Sequence, residues 1–105
     1  MNGKRGEVWY VSLEPVAGAE IGKERPCVVV SPEDMNRLRT RIVVPLTSRG
    51  FSAPFRVVTT FGSSTHAVCD QIRTVDRTRL RRLAGTLDRV ELDDILRTLR
   101  AIFEP

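Results

Sequence analysis

The hydrophobic pattern of this chain changes period near residue 88, and that change narrows the folds open to it. Leu92, Ile95, Leu96, Leu99, Ile102 and Phe103 recur at i, i+3, i+4, i+7, i+10 and i+11, one face of an α-helix. Asp88 with Glu91 three residues on fits a capping box. Asp93 and Asp94 lie toward the positive end of the helix dipole, and Asp93 precedes Arg97 at ion-pair spacing. Before Asp88 the apolar residues come instead in short runs of strand formers divided by turn residues. Val8, Trp9, Tyr10 and Val11 make the first, within residues 7–13 between Gly6 and Pro15. Residues 26–31 read as a buried strand, and residues 41–46 as a strand whose Pro45 points to an edge or a bulge. Residues 54–59 alternate, residues 66–75 form a strand broken midway by Asp70 and Gln71, and Thr86 and Leu87 follow Gly85 as a short last strand. One helical turn fits residues 33–38. The pattern predicts a mainly β domain, a small barrel or sandwich, ended by a helix.

At 105 residues the chain is one domain's worth, residues 1–105, with 41% apolar and 29% charged residues typical of a soluble globular protein. No stretch approaches the roughly 18 apolar residues of a spanning helix. Residues 1–6 are polar and basic and lead into a strand rather than an export signal, which predicts a cytoplasmic protein. The 17 basic residues against 13 acidic give a net charge of +4, and all but Lys4 and Lys23 are arginine. Arginine offers a fork of donors suited to phosphate, although +4 is a mild excess. Cys27 and Cys69 adjoin apolar runs and read as reduced core residues. With His66 they fall short of the ligands a structural zinc needs, so no metal site is expected.

The chemistry of the chain lies in two polar interruptions of apolar structure. One is the loop carrying Gly18, Glu20, Gly22, Lys23, Glu24 and Arg25; the other joins Thr47 and Ser48 with Asp70, Gln71 and Arg73. By composition alone Glu20 and Arg25 read as a solvated ion pair, and Thr47 as a strand-end hydroxyl bonded to backbone. Asp70 and Gln71 read as a bulge or a satisfied polar pair, and His66 as a surface residue beside a Ser/Thr turn. The arginines at 73, 77, 79, 81 and 82 suit a phosphate backbone, an acidic partner or a solvated basic face.

These same residues carry a resemblance. Arg5-Gly6-Glu7-Val8-Trp9, Gly18 and Glu20 followed by Arg25-Pro26, a valine-rich strand ending at Ser31-Pro32, and Asn36 come in order. Val43-Val44-Pro45-Leu46-Thr47-Ser48, Pro54-Phe55 and the run from Cys69 to Asp76 follow at matching spacing. Together they resemble the MazF/PemK toxin family over most of the chain. The resemblance implies an SH3-like β-barrel of the MazF/CcdB type with a C-terminal helix, acting as a homodimer. It implies a sequence-specific endoribonuclease for single-stranded RNA that uses no cofactor. It also implies a cognate antitoxin whose acidic tail folds on binding, with operator DNA met only through the antitoxin complex and no role for a membrane.

Metal-free RNA cleavage drives the 2′-OH onto its own phosphorus, which calls for a base and for charge stabilisation at the phosphoryl oxygens. Matched to the family's motifs, Arg25 takes the electrostatic role, the Thr47 hydroxyl bonds a phosphoryl oxygen, and Glu20 is the base. A glutamate is a weak base near neutral pH unless partial burial raises its affinity for the proton. Lys23, Arg49, Phe55, Asp70, Gln71 and Arg73 are the candidate RNA-binding residues. Asp70 and Gln71 are divided between shaping the site and reading a base. Phe51 or Phe55, near Arg49 and Arg56, are the candidate stacking rings. One plasmid branch of the family has an arginine before the Cys-Asp-Gln run and a histidine before the loop glutamate. Val68 and Ala19 stand there, which favours Glu20, Arg25 and Thr47 as the working set. The rival readings are a gyrase-poisoning toxin on the same fold, whose Trp-Gly-Ile ending is replaced here by Ile102-Phe103-Glu104-Pro105, and a binding module without turnover.

Overall fold

The computed structural model describes residues 3–50 and 52–105. Seven strands come first: β1 (Glu7–Ser12), β2 (Glu24–Val29), β3 (Thr40–Thr47), β4 (Arg56–Val58), β5 (His66–Val68), β6 (Arg73–Asp76) and β7 (Leu80–Thr86). The helix α1 (Arg89–Ile102) closes the order. All pairings are antiparallel, and the sheet runs β4-β5-β3-β2-β1-β7 with β6 also paired to β3. β6 and β7 sit at opposite ends of the path β6-β3-β2-β1-β7, yet only the 3₁₀ turn Arg77–Arg79 joins them. The sheet therefore curls until its ends approach without closing, a barrel-like arrangement.

Curling buries both faces of the central strands, which is why residues 26–31 read as a continuous apolar run. Side chains alternate across a strand, so in β2 Val28 faces one core while Cys27 and Val29 face the other. The first core sets Val8, Val28, Val44, Leu46 and Ala67 against Leu92, Ile95 and Leu99 of α1. The second lies inside the curl and gathers Trp9, Val11, Leu13, Cys27, Val29, Val43, Val75 and Leu80, with Ile21 of the β1–β2 loop packed on it.

Several local expectations change. Pro45 is in neither an edge strand nor a bulge, since β3 pairs on both sides. It falls between the stretch paired with β6, Thr40 to Val43, and the stretch paired with β5, Leu46 and Thr47, where one flank of β3 changes partner. The last strand starts at Leu80 rather than Thr86: on this edge strand Arg81, Arg82 and Leu83 are exposed, which hides the alternation. The break at Asp70 and Gln71 is a 3₁₀ turn, Cys69–Gln71, between β5 and β6.

The capping box is half made. The Asp88 carboxylate accepts the N–H groups of Val90 (2.9 Å) and Glu91 (3.3 Å), capping α1. Glu91 turns away to accept the hydroxyls of Thr59 (2.5 Å) and Thr60 (2.6 Å) and the Thr60 N–H, clasping the helix to the segment after β4. Asp93 pairs with Arg89 and not with Arg97, which turns to Asp94 at 2.7 Å.

Candidate active site

The loop between β1 and β2 is long and polar, and the second half of the chain holds it in place. Arg73 Nη1 donates to the Leu13 carbonyl at 3.1 Å, and Arg79 Nη1 to the carbonyls of Ser12 (3.1 Å) and Glu14. Farther along, the Gln71 side chain accepts the Ile21 N–H at 2.7 Å and donates to the Ala19 carbonyl at 3.2 Å. Within the loop Lys23 N–H donates to Glu14 Oε1 at 2.6 Å. Gly22 packs so closely on Val16 and Glu14 that a Cβ there would collide with both.

Held this way, the loop forms one wall of a cavity of about 450 Å³. Pro15, Glu20 and Ile21 line it from the loop, Pro45 from β3, and Asp70, Gln71 and Arg73 from the turn and start of β6. Four of the sequence-selected residues, Glu20, Asp70, Gln71 and Arg73, thus meet on one cavity. Arg25 and Thr47 are not among its lining residues. The β2–β3 pairing ends at Cys27 and Pro45, and Arg25 and Thr47 lie two residues beyond that pair on their respective strands. By strand alternation both share the face of Pro45, which lines the cavity.

Thr47 is half-buried at the end of β3, where its Oγ1 accepts the Arg49 N–H at 3.1 Å. A threonine hydroxyl has one proton and two lone pairs, so this bond fixes the oxygen and leaves the proton to donate. Arg25 is half-buried and its Nε donates to the Gly22 carbonyl at 3.3 Å. Glu20 is exposed, its Oε1 accepting the Ala17 N–H at 2.7 Å, and it makes no ion pair with Arg25 among the described residues.

The other RNA-binding candidates lie off the cavity wall. Lys23 is exposed with a positive φ of 63°, and Arg49 is exposed. Phe55 is 45% exposed at a φ of 65°, in the turn that leads into β4. Phe51 lies outside the described residues. Asp70 is bridged by Arg56 at 3.3 Å. Sequence reading gave Arg56 no such role and placed Arg79 only within a basic run, because a tether to backbone carbonyls leaves no motif. The basic run 73–82 is correspondingly mixed. Arg73 and Arg79 hold the loop, and Arg82 lies over the Tyr10 ring at 4.3 Å, while Arg77 and Arg81 are exposed.

Both cysteines lie beneath the site. Burial pushes the Cys27 thiol up to about 12 against the opposing pull of Arg73. Burial together with the negative charge of Asp70 takes Cys69 to about 11. Both remain protonated thiols, and neither is a nucleophile at neutral pH.

A curled sheet backed by one helix, with a cavity edged by Glu20, Asp70, Gln71 and Arg73 under a tethered loop, defines a small β protein with a polar cavity among the described residues. Comparison with known proteins narrows this. Residues 4–103 match the family model described as PemK-like, MazF-like toxin of type II toxin-antitoxin system, and the chain belongs to that family. It is 37% identical over 109 residues to Endoribonuclease MazF9 of Mycobacterium tuberculosis, with 92% of each chain covered. It is 45% identical over 80 residues to Endoribonuclease PemK of Escherichia coli, covering 70% of this chain and 60% of that one. The crystal structure of MazF from Deinococcus radiodurans superposes with a TM-score of 0.84 at 27% identity, covering 94% of both chains.

Proposed function

We propose that this chain is the toxin of a type II toxin–antitoxin pair and an endoribonuclease that cleaves single-stranded RNA without a metal. The family match over residues 4–103 and the endoribonuclease names of its relatives support the reaction class. The site assignment is supported by Arg25 and Thr47 standing two residues beyond the Cys27–Pro45 pair, on the face of Pro45, which lines the cavity edged by Glu20.

In this reading a phosphodiester enters with its non-bridging oxygens toward the Arg25 guanidinium and the Thr47 hydroxyl. Glu20 takes the proton of the adjacent 2′-OH, the 2′-oxygen forms its bond to phosphorus, and the bond to the 5′-oxygen breaks. The 5′-oxygen takes up a proton from water, leaving a 2′,3′-cyclic phosphate and a 5′-OH. Arg25 and Thr47 act most strongly as charge builds on the phosphoryl oxygens, the condition for lowering the barrier rather than only binding substrate. Lys23, Arg49 and Arg73 carry the flanking backbone, and Phe55 offers a ring on which a base can stack. The protein works in the cytoplasm as a homodimer, and an acidic antitoxin segment blocks the same cavity.

The test is incubation with a long unstructured RNA in excess EDTA, followed by mapping of the ends. Cuts at one short sequence with cyclic-phosphate ends are expected. Intact RNA across several substrates, from protein shown to be folded, would overturn the reading.

A further inference from the structure

Gln71 grips the two peptide groups that bracket Glu20. Its Oε1 accepts the Ile21 N–H at 2.7 Å and its Nε2 donates to the Ala19 carbonyl at 3.2 Å, across fifty residues of sequence. Only one orientation of the amide satisfies both bonds, since the carbonyl oxygen accepts and the NH₂ donates. The grip starts from a rigid place: Gln71 ends the 3₁₀ turn that follows β5, anchored by Cys69 in the first core and followed by β6. On the loop side, Ile21 packs into the second core, so the bonded peptide is held by packing as well. These two bonds fix the orientation of the amide on loop backbone and occupy one of its two N–H groups and one lone pair of its oxygen.

We infer that Gln71 is a positioning residue for the Glu20 loop and not a reader of the RNA sequence. The inference rests on the endoribonuclease reading only for its kinetic consequence; the grip itself belongs to the protein without RNA. Freed from Gln71, residues 19–21 lose both tethers at the loop's middle and keep those at its base from Arg73 and Arg79. Glu20 then samples positions away from the phosphodiester.

Hydrogen exchange at the Ile21 amide, measured without RNA, tests the grip in Gln71→Leu and in Gln71→Glu. The second variant keeps an acceptor for Ile21 and loses the donor to Ala19. Exchange about three- to tenfold faster is expected in Gln71→Leu, the worth of one net hydrogen bond, and a smaller rise in Gln71→Glu. Thermal melting shows that each variant is folded. In RNA cleavage, kcat should fall by about tenfold in Gln71→Leu with KM and the cut sequence unchanged, because alignment is lost while contacts to bases are not. Unaltered Ile21 exchange in folded Gln71→Leu would overturn the inference, and so would a relaxed cut sequence. Faster exchange in a protein that never cleaves RNA would retain the grip and count against the endoribonuclease reading alone.

Discussion

The Arg56 guanidinium forks onto the Asp70 carboxylate, Nε to Oδ1 at 3.3 Å and Nη2 to Oδ2 at 3.4 Å. The pair ties β4 to the turn that lines the cavity, so Asp70 edges the cavity as half of a neutral pair and not as a bare anion. With the Asp70 side chain 41% exposed, solvent screens the pair. Its contribution to stability is about 0.5 kcal/mol. The effect on RNA should be larger. Arg56→Ala is expected to weaken RNA binding about tenfold by uncovering the Asp70 charge, and adding Asp70→Asn should recover several-fold. A double-mutant cycle of RNA affinities checks this, and strict additivity would refute it.

Glu91 makes stability depend on acid. Partial burial pushes its carboxyl up, but the hydrogen bonds from Thr59 and Thr60 outweigh that and hold it below the usual glutamate value of 4.5. A carboxyl lowered in the folded state adds stability above its unfolded pKa, and the gain is lost as pH falls through the folded value. Glu91→Gln should therefore cost about 2 kcal/mol at pH 7, with the gap to the parent narrowing below pH 4.5. Urea midpoints measured for both proteins across pH 3 to 7 check the slope.

The two thiols should be silent. Cys27 and Cys69 are both fully buried, with thiols pushed up to about 12 and about 11. Ellman's reagent at pH 8 should label neither in the native protein and both in denaturant.

Arg41 is an arginine inside the protein, 1% exposed, with its Nε donating to the Gly3 carbonyl at 3.0 Å and Nη1 to the carbonyls of Leu38 and Thr40 at 2.8 Å. Arg41→Met should fill part of the volume and leave those carbonyls unsatisfied, a loss of about 3 kcal/mol in chemical denaturation. Arg41→Lys should recover little, because an ammonium lacks the fork that spans separate carbonyls.

These cases mark what the sequence makes legible. The helix was readable because Leu92, Ile95 and Leu99 repeat with its period, and β1 to β3 because valines cluster between Pro and Gly. β7 was not, because on an edge strand Arg81 and Arg82 need no apolar partner. Glu20, Asp70, Gln71 and Arg73 could be selected as site residues because their motifs carry the family resemblance, and they do share a cavity. Their partners could not be selected so. The bonds of Gln71 to the loop join residues fifty apart that the sheet's curl brings together, and Arg56 reaches Asp70 because β4 pairs with β5, Arg56 beside Val68. The Asp88 and Glu91 spacing was right for a capping box, yet Glu91 found two hydroxyls on a neighbouring segment, a better set of donors than one backbone N–H.

Arg25 and Thr47, two residues beyond the last β2–β3 pair, are the proposed stabilisers of a reacting phosphoryl group. Single-turnover cleavage of one RNA in EDTA, by the parent, Arg25→Ala and Thr47→Val, tests this role most directly. Loss of one preorganised donor to a developing oxyanion costs about 10²- to 10³-fold, so that fall is expected for Arg25→Ala, with a smaller one for Thr47→Val and native folding retained. Folded Arg25→Ala cleaving within about threefold of the parent would contradict the account, since a donor to the transition state cannot be removed so cheaply.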